Sequence, residues 1–154
     1  MAVVSYLRET IIHAEPEEVF DFCSDLCNEL VWNPNAEHVE KLDSGPVGVG
    51  TRFEARWANT GKVEVEVIQF DPPRTWTTRS ATRGMDVLFR GTVTDVGGGA
   101  HYSARMVLKP KGLAWLYAPL ALLAMRRQEA THLRLIKETL EANPVVGERP
   151  PRSV

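Results

Sequence analysis

Tyr102-Ser103-Ala104-Arg105-Met106-Val107-Leu108, then Lys109-Pro110-Lys111-Gly112, then one long segment from Leu113 to Ala142: this run decides the fold. Tyr102, Ala104, Met106 and Leu108 share one side of an alternating pattern, with His101, Ser103, Arg105 and Lys109 on the other, which reads as a strand with one buried face. Lys109 to Gly112 breaks it. Beyond the break Leu113, Leu116, Leu120 and Leu123, then Leu133, Ile136 and Leu140, recur at helical spacing. Pro119 either kinks this helix or sits in the first turn of a restarted one. Asn143-Pro144 ends it. A mostly antiparallel sheet followed by a single long terminal helix predicts an α+β domain in which a curved sheet of six to seven strands wraps the helix. The gap between them is a pocket for a greasy small molecule.

Upstream, Val3 to Ala14 reads as a strand whose phase is open, because Val4, Tyr6 and Ile12 compete with Leu7 and Ile11 for the buried side. Glu15-Pro16-Glu17-Glu18 starts a helix, with proline in the first turn and carboxylates at the positive end of the dipole. Val19, Phe20, Cys23, Leu26, Cys27, Leu30 and Val31 continue a helical patch up to Trp32-Asn33-Pro34. Thr51, Phe53, Ala55 and Trp57 alternate with Arg52, Glu54 and Arg56, and Val63, Val65 and Val67 with Glu64 and Glu66. This is a hairpin with one wet side, turning at Asn59-Thr60-Gly61. Trp76, Thr78 and Ser80 share a face of the next strand, and Met85, Val87, Phe89 and Val93 a face of another, closed by Gly97-Gly98-Gly99.

The bulk properties fit one soluble domain. The chain has 154 residues, 44% hydrophobic and 25% charged, with a net charge of −2, which gives no electrostatic reason to expect nucleic acid as a partner. Residues 1–142 are expected to form the domain, and residues 143–154, which include Gly147, Pro150 and Pro151, a disordered tail. No targeting segment is read at the N-terminus, so a cytoplasmic location is expected. Cys23 and Cys27, four apart, read as two buried thiols on one helix face, with no further Cys or His cluster to complete a metal site. No metal or other cofactor is expected.

Several strings resemble the START-like, or SRPBCC, superfamily, which includes the birch-pollen allergen, polyketide cyclases/dehydratases and coenzyme Q-binding proteins. Ile12-His13-Ala14-Glu15-Pro16-Glu17-Glu18-Val19-Phe20 resembles its strand-to-helix junction, and Trp32-Asn33-Pro34 the aromatic residue ending its second short helix. Gly48-Val49-Gly50-Thr51-Arg52-Phe53, Asp71-Pro72-Pro73-Arg74 and Gly98-Gly99 resemble its turns, in the same order. The resemblance covers Val3 to Ala142 and implies a helix-grip fold with two short helices after the first strand. The polyketide cyclase/dehydrase and lipid-transport-like branch is the most similar. Because one such fold hosts transport, binding and catalysis, the resemblance leaves function open.

On the residues themselves, Trp32, Phe53, Trp57, Trp76, Phe89 and Tyr102 are expected to line one interior, with Tyr6, Val65, Ala104, Met106, Leu116, Leu120 and Leu123 completing an apolar wall. Thr10, Thr51 and Thr78 add hydroxyls. Counting in twos from Ile12 turns Arg8 inward, where it is the one candidate catalytic or anion-holding group; the opposite strand phase puts it in solvent. The resemblance implies that polyketide cyclases use such cationic residues to hold an enolate-like chain. His13, His38, His101 and His132 read as surface histidines sharing no face with a carboxylate, His38 in a loop. No nucleophile–base pair emerges.

This inventory suits non-covalent carriage or sensing of a lipid-like or aromatic small molecule, with a cyclase/dehydratase-type enzyme as the alternative. The run Leu113 to Met125 is too short to span a membrane and more apolar than one stripe requires. Peripheral membrane contact or a homodimer interface is therefore a third reading.

Overall fold

The computed structural model describes residues 3–58 and 60–142; the expected tail lies outside them. Its strands are β1 (Val4–Ile12), β2 (Ala36–Lys41), β3 (Arg52–Trp57), β4 (Val63–Asp71), β5 (Thr75–Ala81), β6 (Met85–Asp95) and β7 (Ala100–Pro110). They form one antiparallel sheet in the order β1-β7-β6-β5-β4-β3-β2. Helix α1 (Pro16–Ser24), a 3-10 turn (Leu26–Asn28) and helix α2 (Glu29–Trp32) connect β1 to β2. A second 3-10 turn (Gly112–Leu116) leads into α3 (Ala118–Ala142). The architecture is the helix-grip α+β fold.

Three local expectations need correction, and the role of Pro119 is decided. Residues 36–41, which include His38, form a strand: with Val39 as its only buried apolar side chain, β2 carries almost no alternation to read. The helical patch is broken at Asp25, whose backbone is extended and whose carboxylate accepts from Cys27 N at 3.0 Å, capping a new turn. Cys23 and Cys27 are therefore half-buried on different elements rather than on one helix face, each packed against a different apolar cluster. Burial pushes both thiols up, with Asp25 adding to the effect on Cys27. Pro119 lies in the first turn of α3 and starts it, where its missing N–H costs nothing.

The phase of β1 is decided. Tyr6 and Ile12 are buried and Arg8 and Thr10 half-buried, while Ser5, Leu7, Glu9 and Ile11 are exposed. The even-numbered face thus joins the inner faces of β3 to β7. Against it pack Val19 and Phe20 of α1 and Leu133, Ile136 and Leu140 of α3, around Ile12, Trp76, Val93, Ala100, Tyr102 and Ala104.

Trp76 is the centre of this layer. It is 2% exposed, lies parallel to Tyr102 with ring centroids 6.1 Å apart, and meets Phe20 edge-on at 5.3 Å. Its indole also covers Gly91, its cross-strand partner: a Cβ at Gly91 would lie 2.3 Å from the ring. Only glycine permits this approach.

The C-terminal end of α3 is fastened to β1 by polar contacts. Lys137 Nζ donates to Ile11 O at 2.5 Å and to Glu141 Oε1 at 2.6 Å, and His13 N donates to Glu141 Oε1 at 2.8 Å. The Lys137 ammonium, then the His13 N–H, hold the Glu141 carboxyl below the usual carboxylate range.

Gly91→Ala destabilises the protein by about 1–3 kcal/mol in urea denaturation, from overpacking against the indole. In a Trp76→Leu background the same change costs much less, since the colliding atoms are gone. Glu141→Gln costs about 1 kcal/mol or less near neutral pH, discounted for partial exposure. Because the folded carboxyl titrates below its unfolded value, that contribution is present above the unfolded pKa. It is lost as pH falls through the folded one, so denaturation curves of wild type and variant converge in acid.

Candidate functional site

The inner face of the sheet can be followed in rows across the strands. Arg8, Ala104, Gly91 and Trp76 form one row, and Tyr6, Met106, Phe89, Thr78 and Val67 the next. A third row runs Val4, Leu108, Val87, Ser80, Val65 and Phe53. Around Trp76 the layer is packed solid. In the next two rows the outer members Tyr6, Val67, Leu108, Val65 and Phe53 are buried, but Met106, Phe89, Thr78, Val87 and Ser80 in the middle remain half-exposed although they face inward. Val4 at the β1 end apart, the flanks are filled and the centre is not. A second cluster of Val39, Phe53, Ala55, Val63, Val65 and Val67 closes the β2–β4 side.

Helix α3 crosses above. Its half-buried Ala121, Leu122 and Met125 continue the stripe of Leu133, Ile136 and Leu140, so the same helix face is buried at one end and only partly covered at the other. Leu116, Leu120 and Leu123, expected on the interior wall, are exposed. The segment is apolar on two faces, so spacing alone could not say which one turns inward; Leu122 and Met125, not singled out from the sequence, do.

Arg8 is on the inner face. Its Nε is buried and has no hydrogen-bond partner among the described residues. The hydroxyls of Thr10, Thr78 and Ser80 likewise bond to no other described side chain or backbone group. Thr51 is different: its Oγ1 accepts from Gly48 N at 2.9 Å, which ties the loop before β3.

The expected aromatic set divides. Phe89 belongs to the open centre, while Trp76, Tyr102 and Phe53 are core. Truncating Trp76 is therefore a core deletion, costing about 3–5 kcal/mol rather than the smaller loss of a cavity-wall residue. Trp57 is a tie between β3 and α2, with Nε1 donating to Glu29 Oε2 at 2.5 Å; Glu29 also accepts from Asn33 Nδ2 at 3.1 Å. Trp32 meets His132 edge-on, ring centroids 5.1 Å apart.

His132 is accordingly half-buried between α2 and α3 rather than on the surface; it precedes Leu133 on the inward stripe, and its polar sequence neighbours occupy the other face. His38 lies 3.6 Å from Glu40 and 3.9 Å from Glu54, and His101 3.7 Å from Glu9, so these two histidines do share a face with carboxylates. That face is the outer, solvated one. Ligand atoms of His38, Glu40 and Glu54 lie within 4.8 Å of one another, but Lys62 Nζ already stands 3.4 Å from Glu54. An open depression of about 500 Å³ also lies on this outer face, lined by Glu66, Ile68, Arg79, Leu88 and Lys109 among others. Arg79 and Glu66 pair across it at 3.5 Å.

The same fold recurs among solved structures. The Zhui aromatase/cyclase from Streptomyces sp. R1128 superposes with a TM-score of 0.79 at 12% identity, covering 99% of this chain and 100% of that one. Ara h 8.0201 gives 0.72 at 17% identity over 92% and 100%. Norcoclaurine synthase from Thalictrum flavum, in complex with dopamine and hydroxybenzaldehyde, gives 0.67 at 15% over 90% and 86%. At these identities the likeness is one of fold. No curated protein matches the chain by sequence. The model of the family described as polyketide cyclase / dehydrase and lipid transport matches residues 4–141, nearly the whole described chain, and the protein belongs to that family.

Proposed function

We propose that the protein binds a hydrophobic small molecule non-covalently in the space between the inner face of the sheet and α3, as a carrier or sensor. The observation that carries this reading is the half-exposed centre of an otherwise buried face: Met106, Phe89, Val87, Thr78 and Ser80 point inward and lack full cover. An apolar floor with a few converging polar groups is what a small-molecule site requires. The ligand has an apolar, planar or chain-like body and at least one acceptor oxygen. Phe89 and Met106 suit the body, while the Arg8 guanidinium, whose buried Nε lacks a partner among the described residues, suits the oxygen.

Arg8 also supports a second reading, a cyclase/dehydratase-type enzyme in which the guanidinium and the neighbouring hydroxyls orient a reactive chain and shape supplies much of the rate. A carrier returns its co-purified compound unchanged after incubation; an enzyme returns a product of different mass or retention, which chromatography coupled to mass spectrometry distinguishes.

The binding site itself is tested with 1-anilinonaphthalene-8-sulfonate, an aromatic probe with an anionic oxygen group. Wild type binds it with enhanced, blue-shifted fluorescence. Phe89→Ala and Arg8→Met each weaken binding at least tenfold, about 1.4 kcal/mol, while circular dichroism and the urea midpoint report a folded protein. Absence of binding by wild type, or equal binding by both folded variants, overturns the proposal.

A further inference from the structure

A run of exposed apolar side chains lies on the segment that joins β7 to the helix. Leu113, Trp115, Leu116, Tyr117, Leu120 and Leu123 are all exposed, Leu120 by 72% and Trp115 by 61%. Their exposure follows from the two-faced helix. Ala118, Ala121, Leu122 and Met125 are half-buried, and Leu116, Leu120, Leu123 and Ala124, at helical spacing, lie exposed on the opposite side. A contiguous patch of this kind on a soluble domain marks an interaction surface. It has a firm footing: Lys111 N donates to Gly84 O at 2.9 Å and Lys111 Nζ to Thr82 O at 3.1 Å, which anchors the 3-10 turn to the β5–β6 connection.

Charge selects the occupant. From residue 109 to residue 128 the chain carries Lys109, Lys111, Arg126 and Arg127 and no Asp or Glu, within a protein of net charge −2. Lys111 is neutralised by Asp86 at 2.8 Å. Lys109, Arg126 and Arg127 are exposed. An anionic lipid surface meets both features at once: the acyl boundary takes the leucines, the interface takes Trp115 and Tyr117, and the headgroup phosphates take Arg126 and Arg127. No described helix is long and apolar enough to cross a membrane, so the contact is interfacial.

We propose that residues 113–127 seat the protein on anionic membrane surfaces, with the exposed leucine stripe inserted and Arg126 and Arg127 on the headgroups. This surface lies outside the proposed ligand site and stands whether or not that site binds a ligand.

The test is flotation of the full chain with vesicles of phosphatidylcholine alone or mixed with phosphatidylglycerol. The expected result is at least tenfold stronger binding to the mixed vesicles, weakening as salt rises. Leu120→Glu abolishes flotation, and Arg126→Glu with Arg127→Glu removes the preference for anionic lipid. All three positions are exposed, so circular dichroism should be unchanged. Failure of wild type to float with either vesicle overturns the proposal, as does undiminished flotation of folded Leu120→Glu. A dimer in light scattering that Leu120→Glu converts to monomer, without vesicle binding, makes the patch a subunit interface and also overturns it.

Discussion

Leu133, Ile136 and Leu140 pack into the layer formed by Ile12, Trp76 and Tyr102, and the position of the long helix depends on that one contact. A helix is straight over this length, whereas a twisted antiparallel sheet with irregularities in register, as between Val67 and Gln69, is not. The two surfaces can meet closely at only one end. Burial of the three side chains and the Lys137–Glu141 fastening to β1 choose the C-terminal end. The N-terminal half of α3 carries no fully buried described side chain, and Met106, Phe89 and Thr78 on the inner face of the sheet are half-exposed.

Close packing at the fastened end has its own requirement. Trp76 brings the largest side chain of the core onto the inner face, and Gly91 supplies the only backbone that can accept its ring at that distance. With Tyr102 parallel to the indole and Phe20 against its edge, the layer ties β5, β6, β7 and α1 into one rigid unit. Rigid walls on one side and an incompletely covered face on the other are what a preformed binding space needs, because a ligand then pays little to order its own site.

The polar groups divide along the same boundary. On the outer face Arg52, Arg56 and Arg79 sit in exposed ion pairs worth little individually, and His38 and His101 lie beside carboxylates. On the inner face Arg8 has a buried Nε with no hydrogen-bond partner among the described residues, which is costly unless a ligand or solvent satisfies it. That asymmetry separates a solvated surface from a place where chemistry or recognition can occur.

Alternation in β3 to β7, the proline-started α1 and the leucine spacing of the last segment by themselves determined the fold class, because period and turn chemistry are local properties. They also named most of the inner face correctly by parity, since every second residue of a strand must share a side. Tertiary structure alone decided the rest. The inward turn of Arg8 depended on β1 pairing with β7, the strand farthest from it in sequence. Division of the aromatics into core Trp76, tie Trp57 and open Phe89 depended on what each ring meets across the sheet. His132 and the choice of Leu122 over Leu120 as the inward leucine depended on which side of a doubly apolar helix the sheet occupies. Periodicity states that two residues share a face; it carries no information about which partner that face will find.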